Sequence, residues 1–215
     1  MLELAELLIL FFVLFFPGVY SSGFSGGEAQ PFIIYRELGR TLTYTAPSLA
    51  LLWYIITDKK GFKRIKLKIQ DLVSLSIGLL GLVILGLGVS VLVSIFSHYE
   101  GLNPPEKVEA PANALGWAVM VISCIGTGYL EECYFRYYLL TKLENTHPSP
   151  VVRIIFSTFL FSICHIYEGP WGAFNAALAG ILLSVIFIRY RSFHGIAWAH
   201  GAYNIFVYIA GNFSL

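Results

Sequence analysis

Residues 72–97 read LVSLSIGLLGLVILGLGVSVLVSIFS, a run without a single charged side chain. Crossing the hydrocarbon core of a bilayer takes about 20 apolar residues, so this stretch predicts a membrane helix over 70–97 and decides the class of the chain. The remainder agrees with it. Of 215 residues, 57% are hydrophobic and 13% charged, and the mean hydropathy is +0.71; a soluble domain carries about 25% charged residues. At that length about eight passes at most fit. No room is left for a separate soluble domain, so the chain reads as one membrane-embedded domain over 1–215, with N-terminal helices in 1–112 and a core in 113–213.

Outward from the 70–97 run, apolar segments punctuated by Gly, Pro and polar residues predict helices near 4–20, 40–57, 113–143, 151–167, 171–189 and 195–213. The expected fold is therefore all-α: a polytopic transmembrane bundle of about seven helices (six to eight), with a polar cavity in the C-terminal half. Pro47 falls inside the second helix, where a membrane helix tolerates it as a kink if neighbours satisfy the freed carbonyl. The first segment, MLELAELLILFFVLFF, lacks the positive n-region and small-residue cleavage site of a signal peptide and is expected to be a retained helix.

Charge fixes the expected orientation. The loop DKKGFKRIKLK carries Lys59, Lys60, Lys63, Arg64, Lys66 and Lys68, which predicts a cytoplasmic loop; an anionic-lipid site is the alternative reading. Alternation then puts Lys142, Arg153, Arg189 and Arg191 on that same side and the N-terminus with them. Arg36, Arg40 and Lys107 fall outside, beside the acidic, Pro-rich loop at 98–112. Net charge is only +1, so nothing argues for a nucleic-acid partner. The cysteines Cys124, Cys133 and Cys164 lie in apolar segments without CxxC spacing and read as buried free thiols.

Ionisable residues inside such segments cost at least about 2.5 kcal/mol each on insertion scales and point to function. In GYLEECYFRYY, residues 128–138, Glu132 and Arg136 stand four apart on one helical face in the favourable order for an ion pair. Glu131 points about 100° away from Glu132, free for another partner and so a candidate general base. The alternative is one buried packing network of all three. His165 follows Phe161 by one turn, and His200 and Asn204 share a face. His98, His147 and His194 read as loop histidines. Counted from the turn after residue 143, Glu131 and His165 lie about 18 and 21 Å deep and can face each other, whereas His200 rises only about 8 Å above a helix start at 195. The depth of His200 depends on how far the turn at 190–195 dips into the protein.

Glu131-Glu132-xxx-Arg136, Phe161-xxx-His165 and His200-xxx-Asn204, in this order, resemble the three motifs of the CPBP family of intramembrane proteases, which includes type II CAAX prenyl endopeptidases and bacteriocin self-immunity proteins. The likeness covers about residues 113–213. It implies peptide-bond hydrolysis within the membrane: Glu131 aided by His165 as base toward water, His200 and Asn204 as donors to the oxyanion, and Glu132, Arg136 and Phe161 in support. It also admits a divalent metal such as zinc at Glu131, His165 and His200, although no His-Glu-xx-His helix is present. The implied partners are the lipid bilayer and a membrane-bound or lipidated peptide. A non-catalytic immunity or peptide-binding protein on the same fold is the competing reading. A proton-coupled transporter would more often show inverted repeats, and none is found. GFSG at 23–26 matches a rhomboid-type serine motif but sits in a Gly/Ser-rich loop, and the only aspartates, Asp58 and Asp71, lie at helix ends rather than as a buried pair.

Overall fold

The computed structural model describes residues 2–16, 31–58, 66–96, 109–146 and 148–212. GFSG, His98, His147, Lys107 and the basic residues Lys59, Lys60, Lys63 and Arg64 lie outside these. Among the described residues the chain is all helical: α1 (Leu2–Leu14), α2 (34–58), α3 (Ile69–Phe96), α4 (Ala114–Glu144), α5 (Pro150–Cys164), α6 (Gly169–Tyr190) and α7 (Phe193–Asn212). Helices α3 and α4, and α6 with the short 3-10 turn before it, are long and apolar enough to cross a membrane, and Leu4–Leu14 and α5 are shorter apolar helices. On α3, Leu80, Ile84, Leu87, Val91 and Ile95 form an exposed oily stripe at helical spacing, the surface a bilayer covers. This is an integral membrane protein.

The centre of the bundle is the C-terminal part of α4. From Cys133 to Leu140 the helix widens into a π-helical segment, in which every side chain but Tyr137 is buried. A helix buried all round has no solvent face, and neighbours close it on each side. The rings of Phe11 on α1 and of Phe15 just past its end pack on Tyr134 and Phe135, and Tyr134 donates to the Leu7 carbonyl at 2.6 Å. Ser157 on α5 donates to the Phe135 carbonyl at 3.0 Å. π-helical turns inside α-helices are rare and concentrate at functional sites; this one begins directly after Glu131 and Glu132.

Helix α2 begins six residues before the predicted start at 40, because its first turns carry Arg36, Glu37 and Arg40, a charged pattern that composition assigns to a loop. Pro47 lies within α2, in its segment Ala46–Asp58. It has no N–H to donate and its ring crowds the carbonyl four residues back; the turn before it, Thr41–Thr45, is π-helical, with the Ala46 N–H on the Thr41 carbonyl.

Two devices set α7. Its approach to α4 is close: a Cβ on Gly128 would lie 2.8 Å from the Ala197 carbonyl oxygen and from the Gly201 nitrogen, and one on Gly201 2.9 Å from the Ile125 Cα. Only small residues allow backbones so near. Its N-terminus is held by Asp71 of α3, a 2% exposed carboxylate whose Oδ1 accepts from Ser192 Oγ at 2.5 Å and from the Gly195 N–H at 3.3 Å. Oδ2 accepts the Lys68 N–H at 2.7 Å, so one buried side chain serves the starts of two helices, where negative charge is favoured. Asp71→Ala leaves these donors without their acceptor at a cost of about 1–3 kcal/mol. The expected result is faster hydrogen exchange at the first turn of α7 with α5 unchanged.

Candidate active site

Glu132 is fully buried and joins two helices. Its Oε1 accepts from Arg136 Nη1 at 2.9 Å, the i,i+4 pair expected from the sequence, and also from His200 Nδ1 on α7 at 2.8 Å. A carboxylate accepts only, so Nδ1 carries the proton and Nε2 is the nitrogen left for other chemistry. That Nε2 lies 3.5 Å from Glu131 Oε2. Glu131 and Glu132, adjacent in sequence, thus address opposite nitrogens of one imidazole.

The depth of His200 follows from where α7 starts. Phe193 packs its ring 5.6 Å from both Tyr129 and Tyr137. The turn between α6 and α7 therefore dips to the level of the middle of α4, helped by Arg191 in the left-handed conformation (φ 50°) and tied to Glu144 at 2.6 and 2.8 Å. Two turns further on, His200 reaches the carboxylates. His194 is not a loop residue: it sits in the first turn of α7 with Nδ1 3.0 Å from the Tyr129 hydroxyl.

His165 closes α5. Its Nδ1 donates to the Phe161 carbonyl at 2.8 Å, satisfying one of the last-turn carbonyls that a helix end leaves open, and its Nε2 is again the free nitrogen. Phe161 stands between the histidines, with ring centres 4.6 Å from His165 and 5.9 Å from His200, while the Arg136 guanidinium lies 4.2 Å over its face. It is the spacer of the site. Glu131 Oε2 is buried and has no hydrogen-bond partner among the described residues, so it is not bonded to His165. Asn204 is half-buried on α7, one helical turn beyond His200. Cys124, Cys133 and Cys164 are buried free thiols, as expected.

Among the described residues, no three His, Cys, Asp or Glu side chains converge as a metal set. The Nδ1 atoms of both histidines are engaged, by the Phe161 carbonyl and by Glu132, so Nε2 is the nitrogen each leaves for a ligand, as in histidines that ligate through Nε2. No step below is routed through an ion.

Two groups escaped the sequence reading. Asp71 is invisible as the cap of α7 because its partners there, Ser192 and Gly195, are more than 120 residues away. The Glu37–Arg40 pair on α2, 2.8 Å apart and joined to Ser123 of α4, could have been found from its i,i+3 spacing.

Fold and site define a polytopic membrane protein with a buried carboxylate–imidazole centre shared by α4, α5 and α7. The family model described as type II CAAX prenyl endopeptidase, Rce1-like, matches residues 113–206, from the Asn113 cap of α4 past Asn204, so this part of the chain is similar to that family. No curated protein and no solved structure matches the chain.

Proposed function

We propose that this protein is an intramembrane endopeptidase that hydrolyses a membrane-bound or lipidated peptide, such as a prenylated CAAX-type tail, with water activated by Glu131. One observation carries the reading: Glu131 Oε2 is a buried acceptor without a donor, 3.5 Å from the Nε2 of a histidine anchored through its other nitrogen. Water between Glu131 and His165 Nε2 gives a proton to Glu131 as its oxygen attacks the scissile carbonyl. The oxyanion is met by Asn204 and by the Nε2–H of His200, which exists when the imidazole carries both protons. In that state Glu131, Glu132, Arg136 and His200 sum to zero charge, the arrangement a low-dielectric site tolerates best. Collapse breaks the C–N bond, and Glu131 returns the proton to the leaving amine. The basic loop and α4 end support a cytoplasmic N-terminus.

The test uses purified protein in nanodiscs and a peptide carrying an S-prenylated cysteine followed by three residues. The expected outcome is cleavage that incorporates one labelled oxygen from water and keeps its rate in the presence of a chelator. Loss of activity on chelation, restored by zinc, would replace this mechanism; binding without any product would return the protein to the immunity or peptide-binding reading. His200→Ala is expected to slow turnover by about 10²–10³-fold through loss of the oxyanion donor, measured as kcat on the same peptide.

A further inference from the structure

Arg40 is held at one corner and open along the rest. Its Nη2 lies 2.8 Å from Glu37 Oε2 and donates to Ser123 Oγ at 2.9 Å, while Ser123 Oγ donates to the same Glu37 oxygen at 3.3 Å. Glu37 and Ser123 are buried, yet the Arg40 side chain is 45% exposed. Arg36 Nε lies 3.7 Å from the other Glu37 oxygen; two guanidinium groups against one carboxylate leave an excess positive charge at this corner.

From that corner a polar stripe runs along α4 at four-residue spacing: Ser123, Thr127, Glu131. Both Thr127 Oγ1 and Glu131 Oε2 are buried without a hydrogen-bond partner among the described residues, and such atoms in native proteins are completed by water or by a ligand. The stripe borders α2, since a Cβ on Gly126 would meet the Thr45 side chain at 3.3 Å. Helix α2 thus packs along α4 from Glu37 and Arg40 at Ser123 to Thr45 at Gly126, and the two charged ends lie along one helix seam.

We propose that Arg40 anchors the free C-terminal carboxylate of an extended peptide whose scissile bond lies at Glu131 and whose backbone passes Thr127. The inference rests on the protease reading above. Ser123 and Glu131 are eight residues apart on α4, about 12 Å at 1.5 Å per residue, and an extended chain covers about 3.3 Å per residue. Three to four residues then separate the bond from the carboxylate. A partly exposed guanidinium fits this task because its fork pairs with a carboxylate through two N–H bonds.

The probe is a fluorescent peptide of S-farnesylcysteine followed by three apolar residues, ending in a carboxylate or in a carboxamide. Both are titrated onto the Glu131→Gln protein in phosphatidylcholine nanodiscs, so that lipid phosphate is the same in each arm. The carboxylate peptide is expected to bind about tenfold tighter or better, the ratio for one charge-assisted bond. Adding Arg40→Gln should bring the ratio to about one, and Arg40→Lys, which keeps the cation but not the fork, to an intermediate value. Equal affinity of the two peptides, no binding of either, or a preference that survives Arg40→Gln overturns the anchor. Cleavage by the protein with Glu131 intact is scored separately: preference without cleavage sinks the protease reading and leaves the anchor standing.

Discussion

Glu131→Gln lowers kcat on the prenylated peptide by about 10²–10⁴-fold, the range for removing a general base, while the protein remains folded and still binds the peptide. The substitution keeps the size of the side chain and replaces one carboxylate oxygen by an amide that cannot take a proton from water. Little else should move, because Glu131 Oε2 makes no hydrogen bond among the described residues, whereas Glu132 holds both Arg136 and His200. Single-turnover kinetics separates a slow chemical step from slow release. A Glu131→Gln protein that cleaves as fast as the original would remove Glu131 from the chemistry altogether.

Arg136→Ala has the largest effect on stability. The guanidinium and the Glu132 carboxylate are both fully buried, and breaking such a pair costs about 3–5 kcal/mol because the remaining charge is left uncompensated. The Phe161 face loses its cation as well. The expected result is a thermal midpoint in detergent lowered by many degrees, with purified protein prone to aggregate. Arg136→Lys should recover only part of it, since an ammonium can neither stack over Phe161 as a plane nor present the same fork. Glu132→Gln is predicted to lose stability and activity together, through Arg136 and through the tilt of the His200 ring. An Arg136→Ala protein as stable as the original would show that the pair is not what holds α4 in place.

The sequence made the ion pair legible because its spacing is local. Glu132 and Arg136 stand four apart, and that offset keeps them on one face even though the segment is π-helical. The seven helices were legible too, from apolar runs punctuated by Gly, Pro and polar residues, three of which are long and apolar enough to cross hydrocarbon among the described residues. The second contact of Glu132 was not. It depends on where α7 begins, which is set by a carboxylate on α3, by Gly128 against Gly201, and by the stacking of Phe193 on two tyrosines of α4. The start of α2 was misplaced for a related reason: Arg36, Glu37 and Arg40 look like a loop until Ser123, more than 80 residues away, is seen to take part.

Sequence by itself determined that the chain lives in a bilayer, that it is helical, and that Glu131, Glu132, Arg136, Phe161, His165, His200 and Asn204 are the residues to ask about, since hydropathy and i,i+4 offsets are properties of short stretches. Tertiary structure alone decided which histidine meets which carboxylate. Those contacts join helices far apart in the chain, and only the packing of close helix pairs fixes their depth relative to one another.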